Sequence, residues 1–254
     1  MKDFTLLAYK HYLQAITSAY TNIYRFDAFF DLPEKPQKFI LIRHDVDRRP
    51  HKALEMAQLE YDMRICSTYY FRAKRHVFKP QIIRQIADLG HEIGYHYESL
   101  SDADGDMTSA LNDFEYDLKR FRKIVPVKTI AMHGRPFSPY DNRNLWKSPE
   151  NIDKLHKKFA ILGEVYLHID YSDIAYITDT GRTWRSLEAN KMDIVNSNIN
   201  VDITDGNLLY QRLKNGDWPK AVFQIHPERW ARHKSEFILQ FIKDNLINIL
   251  KRFA

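Results

Sequence analysis

At 254 residues, 44% hydrophobic and 28% charged, with 15 Tyr and 15 Phe, the chain can fill a large core, which excludes disordered and fibrous classes. Its formal charge of +5 is spread among interspersed Lys, Arg, Asp and Glu with no basic run, so no nucleic-acid partner is expected. No apolar stretch reaches the roughly 18 residues of a membrane span, and charge interrupts the first residues before a leader segment can build, so a soluble, cytoplasmic protein is expected.

Short β-rich runs alternate with segments of helical period, the pattern of repeated βα units around a parallel sheet or barrel. The first predicted strand is Lys38 to Arg43, followed by a helix from Pro50 to Tyr61. A strand from Ser67 to Phe71 follows, and the lone Cys66 beside it is expected to be a buried strand thiol. Next come a helix from Lys79 to Leu89 stopped by Gly90, a strand from Glu92 to Tyr95, and a helix from Met107 to Ile124 with Leu111, Phe114, Leu118 and Phe121 on one face. Thr129 to Met132 reads as a strand, and Pro136 to Glu150 as a turn-rich loop near a site. Further strands are expected at Glu164 to Ile169, Ile174 to Thr178 and Ala221 to Ile225, and a closing helix from Lys234 to Phe253. The length suits one domain over residues 1–254, with its core at about 38–230 and terminal helices packed on it.

Four of these strands end in Asp or His. Arg43-His44-Asp45-Val46-Asp47 leaves the first strand, and residues two apart on a strand point the same way. Asp45 and Asp47 can therefore converge on one centre, one as proton acceptor and one as metal ligand. Alternatively they are helix-capping or ion-pair partners of Arg43, Arg48 and Arg49. His96 ends Gly90-His91-Glu92-Ile93-Gly94-Tyr95-His96, where a neutral imidazole suits a borderline-soft cation, whereas His91 precedes the strand and is expected to be structural. His133 and His226 follow two other strands. Strand ends of a parallel α/β fold face the ligand crevice, so polar groups collected there point to function.

In order from Arg43 to Trp230, these motifs resemble the polysaccharide deacetylase family, the NodB-homology or carbohydrate esterase family 4 proteins. The resemblance implies a distorted (β/α)7 barrel and a metal-dependent hydrolase that removes an N-acetyl group from a carbohydrate, a polysaccharide or a lipid-linked precursor. It makes Asp45 the catalytic base, Asp47 and His96 metal ligands, and His226, in Ile225-His226, the catalytic acid. Ser67 to Phe71 matches the family's second strand, and Arg135-Pro136-Phe137 its Arg-Pro motif. The cofactor it implies is a divalent ion, zinc first, with cobalt or nickel as alternatives. The family's second metal-binding His falls on Leu100, which cannot ligate. Either His133, Glu98 or water completes the shell, and His133 is preferred because imidazole is the better zinc ligand.

Arg135, Asp179, Arg182, Trp184, Tyr97 and Glu98 are candidate substrate-binding residues. Trp184 could stack on a sugar face or pack in the core, and Asp179 could bond hydroxyls or orient His226. Leu100 also leaves open a degenerate member that binds a glycan or a partner without catalysis. A hydrolase of another C–N or ester bond is a further alternative. The sequence does not set the oligomeric state.

Overall fold

The computed structural model describes residues 3–135, 138–184, 193–233 and 235–238. Within them lie eight strands: β1 (Ile23–Tyr24), β2 (Phe39–Val46), β3 (Thr68–Phe71), β4 (Glu92–Tyr97), β5 (Thr129–Met132), β6 (Gly163–Glu164), β7 (Ala175–Thr178) and β8 (Lys220–Ile225). The α-helices among them are α1 (Leu6–Ala19), α2 (Phe26–Phe30), α3 (Pro50–Asp62), α4 (Pro80–Asp88), α5 (Ser99–Asp102), α6 (Met107–Arg122), α7 (Pro149–Asp153) and α8 (Gly206–Asn215).

Every ladder is parallel. Strands β2 to β6 lie side by side in chain order, β8 lies on the other flank of β2, and β7 lies beyond it. Read in a circle, β2 to β8 follow one another as barrel strands do, with a seam between β6 and β7, where no ladder forms among the described residues. The fold is thus a distorted (β/α)7 barrel. The eighth strand, β1, pairs only with the start of β2, through Ile23 with Ile40 and Tyr24 with Leu41.

The two-residue period of the strands decides what faces inward. On β2, Phe39 and Leu41 join Phe26, Tyr70, Ala131, Tyr176 and Val222 in the barrel interior. Ile40 and Ile42 point outward to α1 and α8. A second outer cluster packs α3, α4 and α6 on β3 to β5 through residues such as Ile83, Ile93, Tyr95, Phe114 and Ile130. Gly94 belongs to the inward set, and a Cβ there would run into the Tyr70 ring. Glycine is required because the interior has no room for a methyl group.

Three sequence expectations change, and a fourth falls mostly outside the described residues. The strand expected from Glu164 to Ile169 is cut to Gly163–Glu164. The Glu164 carboxylate accepts the N–H groups of Met132, Tyr166 and Leu167 at 2.9 Å each, and this folds the chain back on itself. Cys66 is exposed, because β3 starts only at Thr68 and leaves the thiol in the preceding connection. The loop expected from Pro136 to Glu150 contains a 3₁₀ turn, Asn142–Trp146, whose Leu145 and Trp146 are buried. The closing helix expected from Lys234 to Phe253 lies outside the described residues apart from 235–238. Among the described residues no helix is long and apolar enough to cross a membrane.

Candidate metal centre

Parallel strands all end at one rim, so the polar residues leaving β2, β4 and β5 meet there. The inward phase of β2 continues from Phe39 and Leu41 through Arg43 and Asp45 to Asp47, that of β4 runs to His96, and that of β5 to His133. His96 Nε2 lies 3.4 Å from Asp47 Oδ1 and His133 Nε2 3.5 Å from the same oxygen. One donor atom from each of the three falls within 4.8 Å of the others.

The surroundings prepare both imidazoles to ligate. His96 Nδ1 lies 3.0 Å from the Ala131 carbonyl, and His133 Nδ1 lies 3.2 Å from Glu98 Oε2. In the neutral ring an acceptor at Nδ1 holds the proton there and leaves the Nε2 lone pair free for a cation. Glu98 is itself fixed by Arg72, which donates through Nε at 2.9 Å and a terminal nitrogen at 2.8 Å. Burial alone would lower the His133 pKa, but Asp47 and Glu98 outweigh it and raise it to about 9. Burial alone would raise Asp47, but His133 and His96 hold it well below the usual carboxylate range.

The buried Asp47 Oδ1 accepts no hydrogen bond. An orphaned buried acceptor facing two imidazoles is what a bound cation would satisfy. Two imidazole nitrogens and a carboxylate oxygen fit a divalent ion such as zinc, with a coordination position left for water or substrate. Leu100, by contrast, sits in α5 at 3% exposure and packs in the outer core.

Asp45 lies beside this set, with Oδ2 at 3.6 Å from His96 Nε2. Arg43, on the same strand face, donates to it through Nε at 2.7 Å and a terminal nitrogen at 2.8 Å, and Gln224 donates to Oδ2 at 2.7 Å. Burial would raise the Asp45 carboxyl, but Arg43, then His96 and His226, outweigh that and keep it ionised. The β2 and β8 register, His44 opposite Ile225, brings His226 to the same rim. Its Nδ1 lies 2.6 Å from Asp179 Oδ1, and its backbone N–H donates to both Asp179 oxygens. Burial and Arg229 oppose protonation of His226, but Asp179 prevails and its pKa is raised.

The remaining candidates fall elsewhere. Asp179 is fully buried and spends its carboxylate on His226 and on the Trp230 indole, which donates at 2.8 Å. It orients the imidazole and is closed to sugar hydroxyls. Trp184 is 2% exposed, stacks on Phe4 and donates to Asp3 at 3.0 Å, so it packs in the core and offers no face to a sugar. Tyr97 has the outward parity of β4 and is buried against Phe114 and Trp146. Glu98 is committed to Arg72 and His133. The Arg182 guanidinium lies over the Phe4 and Phe237 rings. Arg135 pairs with Asp102 at 3.1 Å on the surface. Pro136 and Phe137 of its motif lie outside the described residues.

Arg72 and Gln224 were not read as site-forming from the sequence. Arg72 follows β3 directly, and Gln224 shares the inward parity of His226. Strand-end position and parity applied to every strand would have found both.

No protein-family model matches the sequence, and no curated protein is significantly similar to it. Among solved structures, a Streptococcus mutans CE4 esterase is similar at 12% identity and a TM-score of 0.48, over 92% of this chain and 90% of that one. A CE4 family pseudoenzyme from Bacillus anthracis is similar at 11% identity and a TM-score of 0.47, over 82% of this chain. The match covers 61% of that pseudoenzyme, so this chain spans about three fifths of its length. A peptidoglycan deacetylase from Bacillus subtilis is similar at 10% identity and a TM-score of 0.40, over 86% of this chain and 98% of that one.

Proposed function

We propose that this protein is a divergent polysaccharide deacetylase-like hydrolase that removes an N-acetyl group from a carbohydrate with the help of a divalent ion. One observation carries the reading: Asp47, His96 and His133 offer donor atoms within 4.8 Å of one another, directly beside a buried, ionised Asp45. Zinc suits the donor set best, with cobalt or nickel as alternatives. Such an ion would supply Lewis acidity to the scissile carbonyl and to the attacking water.

The chain's own residues would do the rest. Asp45, ionised and held on both oxygens, would accept the proton of the attacking water. The grip of Arg43 keeps it a modest base, which suits a water already acidified. His226, held at Nδ1 by Asp179, would present Nε2 to the leaving nitrogen and protonate it as the C–N bond breaks. His133 would fill the coordination position that Leu100 leaves, which favours a working centre over a degenerate one. An exposed thiol at Cys66 suits a reducing, cytoplasmic setting.

Acetate release from N-acetylated amino sugars and their oligomers, measured with zinc, tests this reading. Wild-type protein should release acetate only when metal is present, and Asp45→Asn should be slower by about 10²- to 10⁴-fold. Equal rates from both proteins would remove Asp45 from the reaction. Metal binding without any acetate release would favour a glycan-binding protein.

A further inference from the structure

Where the chain leaves β2 through Asp47, Arg48 and Arg49 and enters α3, a cavity of about 850 Å³ opens. Arg48, Arg49, His51, His76 and Lys79 line it, and Glu228 is its one acidic wall residue among those described. The first turns of α3 and α4 both border it, at Pro50 and His51 and at Pro80 and Gln81. Neither helix has a side-chain cap or an acidic residue in its first turn. Both begin with a proline, which has no N–H, and Lys52 N–H donates to the Arg49 carbonyl, so what the two ends offer an external anion is chiefly their positive dipole ends.

The lining cations are weakly engaged. Arg49 approaches Glu236 only to 3.9 Å and Arg48 approaches Glu228 to 3.5 Å. Lys79, His51 and His76 have no acidic partner among the described residues. Glu228 is 2% exposed, and neither of its oxygens accepts a hydrogen bond. It lies two residues beyond His226, so cavity and reaction centre share a wall. A buried acceptor beside a cluster of cations suits a ligand that carries both a hydroxyl donor and an anion.

We infer that this cavity receives the phosphate group of a sugar mono- or diphosphate ester, with Glu228 accepting a hydroxyl of the attached sugar. This rests on the deacetylase reading and narrows its substrate to a phosphate-bearing N-acetyl sugar, free or lipid-linked. A carboxylate would bring one negative charge to several cationic groups and two helix ends, whereas a phosphate monoester, or the diphosphate of a lipid-linked sugar, brings about two charges and at least three acceptor oxygens.

Calorimetric titration of metal-stripped protein with inorganic pyrophosphate and with N-acetylglucosamine 1-phosphate tests the inference. Both should bind, and Lys79→Glu should weaken each by at least about tenfold. Lys10→Glu, the same charge change at an exposed position on α1, should leave them unchanged. Sedimentation with vesicles containing a polyprenyl phosphate separates the sources, since retention of wild type but not Lys79→Glu marks the lipid-linked form. Equal binding by the two variants, no binding, or tighter binding of a uronate oligosaccharide than of the sugar phosphate would overturn the inference. Zinc titrations of the same proteins keep the two readings apart. Phosphate binding without zinc binding removes the metal centre and keeps the cavity, and zinc binding without phosphate binding does the reverse.

Discussion

Glu98 touches no reacting atom in this arrangement, yet it sets what His133 can do. One of its oxygens lies 3.2 Å from His133 Nδ1 while Arg72 clamps both. Glu98→Gln should keep the fold but weaken zinc binding by about 10- to 100-fold, measured by competition with a chromophoric chelator. Asp179 plays the matching part for His226. Because it raises the pKa of a group that must be protonated to act, Asp179→Asn should move the alkaline limb of the kcat/KM profile to lower pH. An unmoved limb would show that His226 is not the acid. The residues of the centre were legible in the sequence because each follows an apolar run that can only be a strand. Trp184 and Tyr97 were not legible as core, since a large aromatic suits a sugar face as well as a packed interior, and only partners such as Phe4 and Phe114 decide.

At the scale of elements, the alternation along β2 carries the design. Its inward residues pass from Phe39 and Leu41 to Arg43 and Asp45, so one strand both fills the barrel and arms its rim. The outward His44 meets Glu60 of α3, whose buried carboxylate also accepts from Ser67 Oγ at 2.5 Å and Tyr69 Oη at 2.8 Å, and from Tyr9 of α1. This network ties α1 and α3 to the sheet beneath the centre. Burial would raise the Glu60 pKa, but His44, His91 and the Ser67 hydroxyl outweigh it and lower it to about 2. The stabilisation from its ionised form is therefore complete above the ordinary carboxylate value of about 4.5 and is lost as pH falls toward about 2. Glu60→Gln should cost about 3 kcal/mol at neutral pH in denaturant unfolding and flatten that acid limb. Gly94→Ala should cost about 1–3 kcal/mol by pushing a methyl into Tyr70, and no loss would mean that the ring has room to move.

Strands and helices with strong periods were legible within a few residues: α3 begins at the expected Pro50, and β5 matches Thr129 to Met132 at both ends. Glu164 to Ile169 has the composition of a strand, but a buried carboxylate folding back on its own following N–H groups overrides composition. An N-terminal helix was expected without bounds, because Leu6 to Ala19 mixes apolar, aromatic and charged residues; α1 lies there.

At the scale of the whole molecule, parallel pairing is what makes a centre out of separate motifs. With strands in chain order and a seam between β6 and β7, residues far apart in sequence, from Asp45 to His226, reach one rim without any long loop having to place them. The order of the motifs was legible, and so was the preference for His133 over Glu98; the structure puts the His133 Nε2 3.5 Å from Asp47 Oδ1.

Anomalous diffraction at the zinc edge from crystals of zinc-loaded protein would test this centre most directly. One strong peak should lie within about 2.0–2.2 Å of His96 Nε2, His133 Nε2 and an Asp47 oxygen. Zinc bound elsewhere, or none bound with all three side chains ordered as here, would contradict it.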